Sequence, residues 1–246
     1  MTTKYKTQAL IFKINNINES DRIFSVFTDD FGRLNIFAKA IRKITSKLRG
    51  GMDLYYLSEI EFIQGKNKKT LTDSVIIKKY NNITENLEKS TVAADIGDFL
   101  DNFIKGEEKD HNLFVLLGET FHNLNNINLT SEKSSLVYFY FLWNALSLLG
   151  YHSEVKSCAG CHGLLIPEEV YFSGKQGGII CKKCFEKNEN NLNFAKKINA
   201  DVVKILRIIL SKNWQMLYKL KTEPSTRRLL LEVSECAAQS FCPNNY

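Results

Sequence analysis

The chain has 246 residues, 44% of them hydrophobic and 24% charged, which are the proportions of an ordinary globular protein. The most apolar stretch, residues 135–150, is shorter than the roughly 20 residues of a spanning helix and contains Asn144. We therefore expect a buried core helix there and no membrane span. The first residues lack the apolar segment of a signal peptide, so we expect a cytoplasmic protein with reduced thiols.

Positive charge is concentrated in the first third of the chain, although the net charge is only +6. Residues 1–80 carry 15 basic and 8 acidic side chains, a net of +7, whereas residues 81–246 carry 18 and 19, a net of −1. A basic module beside a nearly neutral one indicates a polyanionic partner for the first module.

Residues 1–80 have the pattern of short strands separated by turns. Apolar runs and alternations, interrupted by turn residues such as Gly32 and Gly65, predict five strands at 6–14, 22–28, 33–39, 53–63 and 69–80. Five short strands, with an insertion between the third and the fourth, predict a small barrel.

Helical periodicity replaces the strand pattern after residue 80. Apolar residues near a 3.6-residue repeat predict helices at 84–104, 112–127, 130–150, 194–212 and 225–241. The second part of the chain, residues 81–246, is therefore predicted to be an all-α domain. It is interrupted by a cysteine-bearing insert at residues 155–188.

Four cysteines form the most specific motif in the chain. Cys158 and Cys161 are separated by two residues, as are Cys181 and Cys184, with 19 residues between the pairs. Two such pairs are typical of a tetrahedral zinc site in a zinc-ribbon-like hairpin, and four thiolates leave no open catalytic position. We predict structural Zn²⁺. Iron in the same ligand set remains an alternative, whereas disulfides are disfavoured by the reducing compartment.

Motifs of enzymatic chemistry are absent from the sequence. The Gly-Lys pairs lack the spacing of a phosphate-binding loop, and no nucleophile-elbow motif occurs. The acidic residues Glu19, Asp21, Asp29 and Asp30 lie in turn regions, where solvated side chains are expected rather than the carboxylate cluster of a two-metal nuclease. We predict that the protein is not an enzyme.

Residues 38–51, AKAIRKITSKLRGG, contain five basic residues and no acidic one. If the stretch is helical, Ile41, Ile44 and Leu48 form an apolar stripe, and the lysines lie on another side. A merely solvated helix is the alternative, but it would usually intersperse acids to relieve the repulsion between lysines four residues apart. We therefore predict contact with nucleic-acid phosphates.

The candidate nucleic-acid contacts extend beyond this stretch. The basic candidates of residues 1–80 are Arg33, Lys39, Arg42, Lys43, Lys47, Arg49, Lys66, Lys68 and Lys69. Phe37 and one of Tyr55 and Tyr56 fall on the strand face opposite the predicted core. We expect Phe37 and Tyr55 to stack on bases of single-stranded DNA.

Several motifs of the first 80 residues resemble those of the bacterial recombination mediator family RecO. The segments are ESDRIFSVFTDDFGRLNIFAKAIRK at 19–43, SKLRGGMDLYYLSEIEF at 46–62 and KKTLTDSVII at 68–77. The helical second part with a four-cysteine insert also resembles many members. The resemblance implies an α+β multidomain fold. A five-stranded oligonucleotide-binding (OB-fold) barrel at 1–80 would precede the all-α domain at 81–246, with its zinc-ribbon-like insert.

The resemblance also implies a function. Members bind single- and double-stranded DNA, anneal complementary strands and act with RecR. Together they help RecA load onto DNA covered by the single-strand-binding protein SSB, without ATP. In some members the helical domain docks the acidic tail of SSB, for which Arg207, Arg227 and Arg228 are candidates here. The insertion after the third strand is rich in Lys and lacks Pro, unlike many members, so we expect weaker or more salt-sensitive DNA binding.

A different class of function fits the same composition. The protein would then be a zinc-containing protein-interaction or transcription scaffold, and its basic first module would be merely solvated. Salt-dependent binding of DNA separates the two hypotheses, because phosphate contacts release counterions and a solvated surface does not.

Overall fold

The computed structural model describes residues 3–127, 131–166, 169–187 and 195–241. The chain divides into two compact units, Met1–Asn128 and Leu129–Tyr246. Three predicted boundaries lie outside the described residues. They are the helix starts at 130 and 194 and the end of the insert at 188. The predicted domain boundary after residue 80 lies inside the first unit. The division into a barrel domain at 1–80 and a helical domain at 81–246 stays a prediction.

The first unit contains a closed five-stranded barrel, as the sequence predicted. Its strands are β1 (Lys4–Asn16), β2 (Arg22–Thr28), β3 (Gly32–Ala38), β4 (Tyr56–Gln64) and β5 (Lys69–Lys79). The order around the barrel is β1-β2-β3-β5-β4, and β4 returns to β1. All neighbours are antiparallel except β3 and β5, which pair in parallel at Ile36 with Lys69 and at Phe37 with Thr70.

The long strand β1 closes the barrel by pairing twice. Its residues 4–10 pair with β4, and its residues 9–16 pair with β2, with an irregularity between Ile11 and Lys13. Alternate residues of the strands point inward and form one apolar core, which includes Phe24, Leu34 and Phe62. This inward alternation is the physical origin of the strand pattern in the sequence.

Three helices complete the first unit. They are α1 (Asn81–Thr84), α2 (Leu87–Phe103) and α3 (His111–Asn126). The side chain of Asn86 accepts a hydrogen bond from the backbone N–H of Lys89, and Asp110 caps α3 in the same way. Gly97 lets α2 approach β1, because a Cβ atom there would lie 3.3 Å from the ring of Phe12.

A three-residue ion cluster joins α2 to the barrel. The carboxylate of Asp101 accepts hydrogen bonds from Nζ of Lys13 at 2.7 Å and from Nη2 and Nε of Arg33 at 2.7 and 3.0 Å. Burial by itself raises the pKa of Asp101, but the hydrogen bonds and charges of Lys13 and Arg33 outweigh it and hold the pKa below the ordinary value of 3.8.

The second unit is built mainly of helices, with one small sheet. The helices are α4 (Ser131–Leu148), α5 (Lys182–Lys187), α6 (Ala200–Leu210), α7 (Trp214–Lys219) and α8 (Pro224–Phe241). The strands β6 (Val170–Ser173), β7 (Gly178–Cys181) and β8 (Lys196–Ile198) form an antiparallel sheet in the order β7-β6-β8. Part of the predicted helix at 194–212 is therefore the strand β8, after which Asn199 caps α6.

Helix α4 is the core helix of the second unit. Asn144 is buried in it, and its side-chain nitrogen donates to the carbonyls of Tyr140 and of Ile209 on α6. Nε1 of the buried Trp143 donates to Oγ of Ser234 on α8, at 2.9 Å. Polar groups on this apolar helix are thus satisfied by neighbouring helices. Within the described residues, no helix has both the length and the apolarity needed to cross a membrane.

We predict that Asp101→Ala lowers the free energy of unfolding by about 1 to 2 kcal/mol, because Lys13 and Arg33 lose their shared acceptor. Because the folded pKa is depressed, this stability is fully present above pH 3.8 and is lost as the pH falls through the lower folded value. Urea unfolding at neutral and acidic pH measures both effects.

The matched control is Asp98→Ala, one turn earlier on α2. Asp98 is 69% exposed and lies 3.7 Å from Nζ of Lys13, so its loss should change the stability little. Equal effects of the two substitutions would contradict the assigned role of Asp101.

Candidate nucleic-acid interface and metal centre

Basic side chains gather around the last residues of β3. Arg22 at the start of β2 is the ladder partner of Ala38, and Lys69 at the start of β5 is the partner of Ile36. Nζ of Lys68 lies 3.7 Å from the centre of the Phe37 ring. The connection from β3 to β4 follows directly and contains the five basic residues of AKAIRKITSKLRGG. We call residues 39–49 the basic connection.

The basic connection is not the helix that the sequence suggested. Residues 39–46 form consecutive turns, and only residues 47–51 form a short 3₁₀ helix. Ile41 is buried in the barrel core and Leu48 packs against the same core, but Ile44 is 91% exposed. The predicted apolar stripe was therefore wrong at Ile44. Two apolar anchors, and not a helical face, hold the connection on the barrel.

Most of the predicted phosphate contacts are free to meet a ligand. The exposed basic residues around β3 are Lys39, Arg42, Lys43, Lys47, Arg49, Lys66 and Lys68. Throughout the part of the chain that the structure describes, none of these seven makes an ion pair. One Arg42 nitrogen donates to the carbonyl of Asn18, at 2.9 Å. The surface thus presents positive side chains that have no ion-pair partner among the described residues.

Two predicted phosphate contacts are engaged within the protein. Arg33 is half-buried and bound to Asp101, so its guanidinium helps to fix α2 on the barrel. Lys69 is also largely buried and pairs with Glu107. Local sequence could not reveal these partners, because they lie far away in the chain.

The two predicted stacking residues differ in their surroundings. Phe37 is half-buried, with one face of its ring covered by Lys68. Tyr55, in contrast, is only 5% exposed and packs edge-on against Phe121 of α3. Its ring has no face for a base, which corrects the expectation for Tyr55. Tyr56 is half-buried, with Nζ of Lys79 at 5.3 Å from its ring centre.

Sequence reasoning missed Arg22 as a member of the basic surface. The half-exposed Arg22 lies opposite Ala38, and its Nε donates to the side chain of Asn16. The signal was present, because Arg22 ends the ESDR segment of the first turn.

The four cysteines of the insert meet in space. Their sulfur atoms all lie within 4.8 Å of one another, and the Sγ atoms of Cys161 and Cys181 are 3.9 Å apart. Tetrahedral zinc with bonds of about 2.3 Å requires sulfur atoms about 3.8 Å apart, so the geometry fits such an ion. The cluster can therefore hold a metal.

Backbone groups of the two turns point at the sulfur atoms. The N–H of Cys181 donates to Sγ of Cys158 at 3.3 Å. Burial by itself raises the pKa of Cys158, but N–H groups of Cys181, Cys161 and Gly160 outweigh it and lower the pKa to about 6. Burial and sulfur neighbours raise the pKa of Cys184 to about 12. Gly160 packs closely on the cluster, since a Cβ atom there would lie 3.3 Å from Sγ of Cys184.

The small sheet connects the cysteine cluster with the helices. Tyr171 and its ladder partner Ile180 pack on the cluster side, where the Tyr171 ring stacks on Phe185 at 4.0 Å. On the other face, the ring of Phe172 packs edge-on against the ring of Trp143 in α4, with 5.5 Å between the ring centres. The cysteine cluster therefore lies on one face of a sheet whose other face belongs to the helical core.

The three arginines suggested for an acidic tail have different surroundings. Arg207 donates to the carbonyls of Val155 and Lys156, and so supports the chain that leads into the cysteine cluster. Arg227 donates to the carbonyl of Thr222. Arg228 has an 84% exposed side chain, which lies 3.4 Å from Glu232. Arg228 is thus the most accessible of the three.

Comparison with known proteins assigns both parts of the chain to one family. A family model described as Recombination protein O N terminal matches residues 1–80, and one described as Recombination protein O C terminal matches residues 84–240.

Named relatives support the same grouping. The DNA repair protein RecO of Dehalococcoides mccartyi (strain 195) is 34% identical over 88% of this chain and 82% of that protein. The RecO of Caldanaerobacter subterraneus is 28% identical over 87% and 83%, and that of Acetivibrio thermocellus 27% identical over 98% and 93%. With a barrel and a helical unit where the two family models match, the chain belongs to the RecO family of DNA repair proteins.

Proposed function

We propose that this protein is a non-enzymatic recombination mediator. It binds single- and double-stranded DNA and anneals complementary strands. With RecR, it helps RecA load onto single-stranded DNA covered by SSB. It acts in the cytoplasm and joins the nucleoid during repair. Family membership supports the assignment to DNA repair, and the unpaired basic side chains around β3 carry the proposal of DNA contact.

The DNA contact follows from the chemistry of the surface. Lysines and arginines of the basic connection bind phosphates, and their number sets the salt dependence of binding. Phe37 offers a ring at the same place, on which a base of a single strand can stack. Neutralising phosphates on two strands at once also lowers the repulsion that opposes annealing.

Two acidic residues of the turn between β2 and β3 have partners within the first unit. Asp29 binds His111 at 2.6 Å, and Asp30 accepts from Thr7 and Lys109. These carboxylates connect the barrel with the start of α3. Among the described residues, the four cysteines form the one group with metal-binding geometry, and a four-thiolate set leaves no open coordination position.

We propose that the cysteine cluster holds structural Zn²⁺. Cys158, Cys161, Cys181 and Cys184 would provide all four ligands. The ion would crosslink two turns of a segment with a small apolar core of its own, so its binding energy would contribute to folding.

Neutralising the basic connection should abolish most DNA binding. If its five basic side chains contact phosphates, the logarithm of the binding constant for a single strand falls with the logarithm of salt concentration at a slope of about −3.5. Changing Lys39, Arg42, Lys43, Lys47 and Arg49 to Gln should weaken binding and flatten this slope. Fluorescence anisotropy with labelled oligothymidylate over a salt series measures both.

A control with the same loss of charge tests the location of the contact. Five exposed lysines of the second unit are changed to Gln instead, namely Lys187, Lys197, Lys212, Lys219 and Lys221. The control should keep most of the affinity. Equal losses in the two variants would assign the effect to net charge, and unchanged binding in the first would remove the basic connection from the interface.

The mediator activity is tested by annealing of SSB-covered complementary strands. The protein should accelerate annealing equally with and without ATP, and the variant lacking the five basic side chains should be slower. Dependence on ATP would contradict the proposed mechanism. A protein that binds DNA but does not anneal it would favour the interaction scaffold.

The metal proposal predicts one zinc per chain in protein purified without chelators. Cys→Ser at any of the four positions should remove the metal and lower the thermal stability of the second unit. Cys236→Ser, outside the cluster, should keep the metal. Elemental analysis with thermal unfolding measures this. Iron in place of zinc would overturn the choice of ion, and absence of any metal would overturn the site.

A further inference from the structure

The turn between β1 and β2 forms hydrogen bonds with the start of the basic connection. One carboxylate oxygen of Asp21 accepts the backbone N–H of Ala40 at 2.7 Å. The backbone N–H of Arg42 donates to the carbonyl of Ser20 at 3.0 Å, and the Arg42 side chain donates to the carbonyl of Asn18. These three bonds join two segments that lie about 20 residues apart in sequence, and we call them the clasp.

The turn itself is held in shape by Asn18. Its side-chain oxygen accepts the backbone N–H groups of Ser20 and Asp21, at 2.8 and 2.7 Å. Its side-chain nitrogen donates to the second carboxylate oxygen of Asp21 at 2.9 Å. The Asp21 carboxylate is therefore oriented before it meets the basic connection. The N–H of Ala40, followed by the amide of Asn18, holds the pKa of Asp21 below its usual value.

Ala40 has an unusual backbone conformation at the point where the clasp acts. Its φ is +54°, a region that non-glycine residues rarely occupy. Such a conformation persists only where surrounding contacts enforce it. The bond from the Ala40 N–H to a carboxylate is such a contact. Without it, the left-handed conformation of Ala40 loses its charged acceptor, and the directions of Lys39, Arg42 and Lys43 are less well fixed.

Judged by its charge alone, Asp21 would oppose DNA binding. Its carboxylate lies near Lys39, whose charge acts on it, and so adds a negative charge beside a proposed phosphate-binding surface. A purely electrostatic account predicts that removing this carboxylate strengthens DNA binding. The two roles therefore differ in the sign of one measurable effect.

We infer that Asp21 is a positioning residue for DNA binding, which it supports by fixing the basic connection through Ala40. The inference rests on the proposed function. It assigns a task to Asn18 and Asp21, whose side chains are not expected to touch DNA.

A pair of substitutions with equal charge tests the inference. Asp21→Ala and Asp21→Asn each remove one negative charge, but only Asn keeps an oxygen that can accept the Ala40 N–H. Asp21→Ala should weaken binding of oligothymidylate about five-fold or more. Asp21→Asn keeps the acceptor for the Ala40 N–H but turns an NH2 group toward the side-chain nitrogen of Asn18, so its affinity should lie between those of Asp21→Ala and the parent. Equal and tighter binding by both variants would overturn the inference in favour of simple electrostatics.

Two further variants separate positioning from charge and from folding. Asn18→Ala changes no charge but frees the Asp21 carboxylate, so it should also weaken binding. Glu19→Gln removes an exposed acid of the same turn and should leave binding equal or slightly tighter. Thermal unfolding of each variant identifies any loss of the fold. If Asp21→Ala does not fold, Asn18→Ala decides the question.

A double-mutant cycle distinguishes failure of this inference from failure of the proposed function. With Lys39, Arg42 and Lys43 already changed to Gln, Asp21→Ala should have little further effect. If the triple change alone does not weaken binding, the proposed interface is wrong. If it does weaken binding but Asp21→Ala acts with the same factor in both backgrounds, the interface stands and the role of Asp21 is overturned.

Discussion

The double pairing of β1 determines how the rest of the first unit is arranged. Because β1 pairs with both β4 and β2, the barrel closes elsewhere through β3 and β5, which share only two residue pairs. The remaining edge of β5 needs another cover. The 3₁₀ helix of residues 47–51 provides it, and Oγ of Ser74 donates to the carbonyl of Leu48. A Cβ atom at Gly51 would lie only 2.2 Å from Oγ of Ser74, so this approach requires glycine. The basic connection is therefore placed by the way the barrel closes.

In the second unit, the small sheet joins the cysteine cluster to the helical core. Its alternating side chains serve two cores at once, with Tyr171 directed to the cysteine cluster and Phe172 to Trp143. The cluster itself has few fully buried residues, among them Cys158 and Ile180. A segment with so little apolar burial depends on other constraints, and a bound metal is the usual one in proteins. The helices support one face of the sheet, and a metal bound by the four cysteines would order the segment on its other face.

Local patterns predicted the strands and most helices, because each of these depends on neighbours in sequence, and the spacing of the two cysteine pairs predicted that the four sulfur atoms cluster. The misses concern contacts over long distances in the chain. Ile41, Ile44 and Leu48 have helical spacing, but burial in the barrel selects only two of them. The strand pattern places Tyr55 on the outer face of the barrel, but Phe121 of α3 covers its ring. Arg33 resembles a phosphate ligand until Asp101, 68 residues later, is seen to bind it. The sequence pattern did not predict strand β8, because its three residues are too few to show alternation. They form a strand by pairing with β6.

The ammonium group over the Phe37 ring has a kinetic consequence for the proposed activity. A base that stacks there must first displace Lys68, which exchanges a contact worth about 0.5 to 1 kcal/mol for one worth about 1 to 3 kcal/mol. The net gain per base is therefore smaller than it would be on an uncovered ring, and the displaced lysine can return when the base leaves. In the proposed activity, such a site would hold each base less tightly than an uncovered ring. A protein that brings two strands together must also release them, and a weaker hold at each contact would favour release over retention.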